Sequence, residues 1–183
     1  MSTPAIAASG FLIRPVRPTD AAAIARIYNH YVLNTTVTFE EDPVPTEAMA
    51  NRIAEIDSAP LPWLVAEVKG AVAGYAYANR WKARSAYRNS LETTVYLEHG
   101  FEGKGLGTML YAKLLSRIRE SGHHTAIGGT ALPNEASIAL HRKLGFEYAG
   151  IFRQVGFKQG RWVDVAYWQI LLSSEGKGNA VCL

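Results

Sequence analysis

Between Glu92 and Leu97 the side chains alternate. Glu92, Thr94 and Tyr96 face one way and Thr93, Val95 and Leu97 the other, which is the period of a β-strand. Beyond Leu106 the period changes: apolar residues fall at Met109, Leu110, Leu114 and Ile118, the spacing of a helix. Between strand and helix stands Glu102-Gly103-Lys104-Gly105-Leu106-Gly107. The same two periods run through the rest of the chain. Phe11–Pro15 is a short strand, and Arg17-Pro18-Thr19-Asp20 opens a helix capped by Thr19 or Asp20, with Ala23, Ile24, Ile27, Tyr28 and Tyr31 as its apolar stripe. Asn34–Phe39 is rich in β-formers. Thr46 caps a second helix, which runs to about Ser58 with Met49, Ile53 and Ile56 inward and is ended by Pro60-Leu61-Pro62. The two helices would form one wall of a cleft. Trp63–Val68 and Ala71–Asn79 are strands joined in a tight hairpin at Lys69-Gly70. After the Leu106 helix, stopped by Gly122, the strand Thr125–Thr130 implies a right-handed parallel crossover. Pro133-Asn134 opens another helix, and Tyr148–Gln154 with Val163–Leu172 closes an antiparallel pair. We expect one domain over residues 11–172, with flexible termini at 1–10 and 173–183.

Composition narrows the function classes. The chain has 183 residues, 48% hydrophobic and 19% charged, as in a soluble domain with a full core. Its one cysteine, Cys182, excludes an intrachain disulfide and leaves no cysteine-based metal site. The start MSTPAIAASG is not a signal peptide and no run reaches membrane-spanning length, so a cytoplasmic protein is expected. The net charge of +3 suits a polyanionic small molecule. Without a Lys/Arg cluster, nucleic acid is not an expected partner. His123 and His124 are adjacent and lack a ligand cluster, so no metal is expected.

Strand, glycines, helix is an arrangement that offers bare backbone N–H groups to an anion. It is not a P-loop, because Lys104 is followed by Gly105 rather than Ser or Thr, and the third glycine comes one residue early for a dinucleotide fingerprint. In the helix from Asn134 to Leu144, Asn134, Ser137 and His141 share one face while Ala136, Leu140 and Leu144 share another. A polar stripe of that kind faces either water or a ligand. The loop Arg80–Asn89 carries four basic side chains and two aromatics.

The glycine loop resembles the acetyl-CoA loop of the GNAT superfamily of N-acetyltransferases, Gln/Arg-x-x-Gly-x-Gly/Ala: Gly105 and Gly107 match, and Glu102 stands where Gln or Arg is usual. Asn134-x-x-Ser137-x-x-x-His141-x-x-x-Gly145-Phe146 resembles the second CoA-contacting helix, with His141 in place of the usual tyrosine. Trp63–Val68, Trp81-Lys82-Ala83-Arg84 with Tyr87, Glu92-x-Thr94-Val95-Tyr96 and the ending from Gly156-Phe157-Lys158 to Trp168-Gln169 are similar to the phosphinothricin acetyltransferases. The resemblance implies an α+β, three-layer fold: a mixed, mostly antiparallel sheet with splayed parallel central strands and flanking helices. It implies acetyl-CoA as co-substrate, no metal, and a homodimer. It implies Glu92 as general base and His141 as proton donor to the departing thiolate. Val95, Tyr96, Gly103, Lys104, Gly105, Leu106, Gly107, Thr108, Asn134 and Ser137 would bind acetyl-CoA, and Phe39, Arg84, Tyr87 and Thr94 would line the acceptor site. The expected acceptor is a small amino-acid-like amine: phosphinothricin, methionine sulfoximine or methionine sulfone. Independently of the resemblance, Lys82, Arg84 and Arg88 could hold a carboxylate or phosphinate, and Trp81, Tyr87 and Phe39 could wall an aliphatic chain. Two other readings stay open: acetylation of a protein N-terminus or another small amine, and a non-catalytic acetyl-CoA sensor.

Overall fold

The computed structural model describes residues 10–172. Its strands are β1 (Phe11–Pro15), β2 (Trp63–Val68), β3 (Ala71–Arg80), β4 (Ser90–Leu97), β5 (Thr125–Ala131), β6 (Glu147–Lys158) and β7 (Arg161–Leu171). They form one sheet in the order β1-β2-β3-β4-β5-β7-β6, antiparallel throughout except for β4 and β5. Four helices flank it: α1 (Ala21–Asn34), α2 (Thr46–Ser58), α3 (Leu106–Glu120) and α4 (Glu135–Lys143).

Strand alternation assigns the layers. Tyr96 packs on Tyr28 and Tyr31 of α1, whereas the Thr93 hydroxyl meets Tyr111 of α3 at 2.7 Å. Positions 93 and 96 have opposite parity, so α1 and α3 lie on opposite faces. α2 joins α1, and α4 joins α3 through His141 and Tyr111. Leu91, Leu110, Leu114, Ile118 and Ala126 are completely buried under α3. Each buried leucine or isoleucine there contributes roughly 1.5–3 kcal/mol.

Several sequence expectations change. The β-rich stretch Asn34–Phe39 forms no strand. The Thr35 hydroxyl bonds back to Tyr31 O at 2.8 Å and accepts Val37 N at 3.3 Å, and such local bonds compete with strand pairing. Neither Asp20 nor Thr46 caps its helix with its side chain: Asp20 takes the Arg14 guanidinium at 2.7 and 2.9 Å and, in a capping box of the short 3-10 turn before α1, accepts Arg17 N at 2.7 Å, and Thr46 follows Pro45, which occupies the cap position. The final hairpin is longer than expected, with irregularities at Tyr148/Gly150 and Phe152/Gly156. In α3 the inward positions include Tyr111, 1% exposed, while Met109 is 41% exposed. The expected flexible ends, apart from Gly10, lie outside the described residues.

Candidate active site

The parallel pair ends early. β4 and β5 pair only over Ser90–Glu92 and Thr125–Ile127, although β4 continues to Leu97 and β5 to Ala131. Beyond Glu92 the two strands part. The gap is followed along the chain by Gly103 and Gly105, with φ of 71° and 81°, a left-handed backbone that glycine adopts without strain. Gly105 sits at the N-cap of α3 with no side-chain cap, so backbone N–H groups are left to an anion. Lys104 Nζ donates to Gly100 O at 2.7 Å. Glu102, the departure from the usual pattern, is turned to the loop itself: it accepts Gly100 N at 2.7 Å and has His99 Nδ1 at 3.7 Å. Leu106 and Gly107 are buried, and Thr108 is half-buried in the first turn of α3.

Glu92 is half-buried at the point of parting. Burial pushes its carboxyl above the ordinary range, and the Lys82 ammonium opposes this. Its cross-strand neighbours are Asn79 on β3 and Ile127 on β5. Asn79 lines a cavity of about 280 Å³ with Tyr28, Arg52, Trp63 and Tyr77. Ile127 lines another, of about 330 Å³, with Trp81, Phe152, Tyr167 and Gln169. Glu92 therefore stands between two hollows on the α1 face.

The sequence-predicted residues fall into groups. Glu92, Thr94 and Tyr96 share the α1 face of β4, and Val95 lies on the other. Tyr77 stands directly across from Thr94 in the β3–β4 pair. Phe39 lies against β6: a Cβ on Gly156 would come within 2.2 Å of its ring. Arg84 and Tyr87 are exposed on the β3–β4 loop. The loop cation that acts electrostatically on Glu92 is Lys82, which lies 4.7 Å from the Trp81 ring centre.

Of the polar stripe of α4 only His141 is buried, and Asn134 and Ser137 stay part-exposed. Asn134 Oδ1 caps the helix by accepting Ser137 N at 3.0 Å, and the Ser137 hydroxyl lies 3.0 Å from that of Thr130 on β5. Ala136, on the face expected to pack, is exposed. His141 is 4% exposed, between Phe146 and Trp168. Its Nδ1 is 2.8 Å from Ser137 O, a pure acceptor, so Nδ1 carries the proton. Nε2 then presents a lone pair, 3.3 Å from the Tyr111 hydroxyl. The Tyr111 hydroxyl is also 2.7 Å from Thr93 Oγ1, which is 3.1 Å from Ile127 O, and the two hydroxyl protons can serve two of these three contacts at a time. This network ends beneath the parting strands. Tyr111 was missed in the sequence; its one signal was a hydroxyl in an otherwise apolar helical stripe.

Burial also lowers the pKa of His141, although the Ser137 bond opposes this. The folded state thus refuses a proton that the unfolded chain accepts. Stability from this group is fully present above the unfolded value of about 6.5 and is lost as pH falls through the lower folded value. Urea melts across that window should show wild type losing stability with acidification, and H141F losing less.

A parallel pair opened at a carboxylate, with a glycine nest at the following helix, is the architecture of an acyl-CoA-dependent N-acetyltransferase. The chain belongs to the GNAT acetyltransferases: residues 13–167 match the acetyltransferase (GNAT) domain. It is 41% identical over 157 residues to phosphinothricin N-acetyltransferase of Streptomyces viridochromogenes, covering 86% of this chain and 85% of that one. It is 37% identical over 171 residues to the L-methionine sulfoximine/L-methionine sulfone acetyltransferase of Salmonella typhimurium, covering 92% and 98%. The crystal structure of a phosphinothricin acetyltransferase from Sinorhizobium meliloti in complex with acetyl-CoA superposes with a TM-score of 0.87 at 39% identity, over 90% of this chain and 89% of that one. The protein is an acetyl-CoA-dependent N-acetyltransferase. The unblocked α3 N-terminus and the two left-handed glycines fit the anionic part of that co-substrate. Among the described residues no cluster of His, Cys, Asp and Glu is suited to a metal, and no helix is long and apolar enough to cross a membrane.

Proposed function

We propose that residues 11–172 act as one catalytic unit that acetylates the α-amine of a small amino acid with a tetrahedral polar head, such as phosphinothricin, methionine sulfoximine or methionine sulfone. The observation that carries this is the half-buried Glu92 where β4 and β5 part, between two aromatic-walled hollows. Acetyl-CoA supplies the activated acetyl group. Glu92 takes the proton of the attacking amine, directly or through water. Backbone N–H groups of β4 near Val95 and Tyr96 hold the co-substrate and the developing oxyanion. Gly103–Thr108, with Asn134 and Ser137 on α4, bind its anionic arm. Phe39, Thr94, Arg84 and Tyr87 form the acceptor side, joined by Lys82. His141 enters as the group that holds the Tyr111 hydroxyl. A neutral imidazole with its proton on Nδ1 has nothing to give a departing thiolate from Nε2.

A second copy completes this reading. Phe152, Val155, Phe157 and Trp162 on β6 and β7 are each more than half exposed, an apolar surface suited to a homodimer contact. Acetyl-CoA as donor makes the cytoplasm the expected compartment.

The test is thiol release from acetyl-CoA with phosphinothricin, methionine sulfoximine, methionine sulfone and methionine as acceptors. Saturable release with the three tetrahedral-headed compounds and little with methionine is expected. Binding of acetyl-CoA without release for any of them would defeat the acceptor assignment.

A further inference from the structure

Lys158 ends β6, yet it is only 3% exposed. Its ammonium donates to Val32 O at 2.7 Å and to Thr38 O at 2.9 Å. Val32 lies in the last turn of α1, where carbonyls have no intrahelical partner and the helix end favours a cation. Thr38 lies in the segment that was expected to be extended and is not. One buried amine therefore ties a helix end, a loop and a distant hairpin together. Burying an ammonium is costly unless its hydrogen bonds are met, and a methionine would pack there without that cost. The placement calls for a task that needs the donors.

We propose that Lys158 is a positioning residue for the acceptor: it pins the 35–40 segment so that Phe39 and Tyr28 keep their places in the wall of the acceptor site. The inference rests on the reading of Phe39 as part of that wall. Three further contacts make the pin specific. The Phe39 ring lies over Gly156, two residues before Lys158, so closely that a Cβ there would meet Cε1 at 2.2 Å. Arg161, across the hairpin turn, donates to the Thr36 hydroxyl at 3.1 Å. The Thr38 hydroxyl is 2.7 Å from that of Tyr28, which lines the cavity beside Asn79 and Glu92. Removing the amine frees the Thr38 carbonyl and leaves Phe39 held only by packing. The Lys158 amine bonds to neither the α3 nest nor β4, and the wall meets β4 through the Tyr28–Tyr96 ring contact.

K158M keeps the stem and removes the donors. The expected result is an acceptor KM raised about tenfold, with the KM for acetyl-CoA within about twofold of wild type. Amide exchange in 35–40 should accelerate while exchange in α3 and β5 does not. F39A should raise the acceptor KM by itself, and adding K158M to it should change little more, because both act on one wall. G156A, which displaces the Phe39 ring without altering the buried amine, should give the same KM pattern even if K158M folds poorly. A raised acceptor KM in F39A with none in K158M and G156A would overturn the pin and leave the wall standing. An unchanged acceptor KM in F39A would remove the wall itself, and with it the role of Lys158. Accelerated exchange throughout the chain in K158M would reduce Lys158 to a general stabilising residue.

Discussion

Replacing Glu92 by glutamine is expected to lower kcat by about 10²–10⁴-fold and to leave the KM for acetyl-CoA within about twofold. Glutamine keeps the shape and the hydrogen-bonding reach of the side chain and removes only its basicity. The nest at Gly103–Gly105 lies on a separate segment, so donor binding has no reason to change. The pH profile adds a second signature. Only ionised Glu92 can accept a proton, and burial has raised its pKa. Activity should therefore fall on acidification at a pH above the ordinary carboxylate range, not within it. Lys82 pulls in the other direction, so K82M should move that limb to still higher pH. Undiminished turnover in E92Q would take Glu92 off the proton path. A limb unmoved in K82M would remove Lys82 from its surroundings.

What could be read from the sequence was local. The glycine nest depends on residue spacing and on φ values that only glycine adopts freely, and the hairpin at Lys69-Gly70 depends on a two-residue turn. Both were legible and both are present. Helix extents followed from apolar periodicity, and α2 begins one residue before its expected start, with Pro45 rather than Thr46 at the cap. What escaped was set by long-range pairing. Nothing in the periodicity of β7 says that it enters between β5 and β6, nor that the β6–β7 hairpin reaches Val32 and Thr38. Lys158 is buried only by tertiary contacts, which its place in the sequence does not show. Asp20 looked like a cap because Arg14, its actual partner, lies in β1. His141 was correctly placed on a face with Asn134 and Ser137, but a helical wheel gives phase relative to neighbours and no indication of which face meets the sheet. The glycine that decides it, Gly128, is on β5.

Gly128→Ala is expected to cost roughly 1–3 kcal/mol of folding stability, although alanine suits the backbone there. The added Cβ would lie 2.2 Å from His141 Nε2 and 2.9 Å from Cδ2. The ring cannot retreat. Phe146 stands edge-on at 4.9 Å between centroids, Trp168 is stacked at 5.9 Å, and Tyr111 closes the third side at 5.6 Å. The alanine must push the imidazole off Tyr111 or spread β5 from α4. Urea melts of a double-mutant cycle distinguish this from a general dislike of alanine in the strand. In an H141A background the space is open, so G128A should cost little there, and the two changes should be far from additive. The same cycle tests the part His141 plays in turnover. If His141 acts by holding Tyr111, G128A should lower kcat at a temperature where the variant is fully folded, and Y111F should remove most of that further loss. If kcat survives G128A intact while stability falls, the His141–Tyr111 contact serves packing alone.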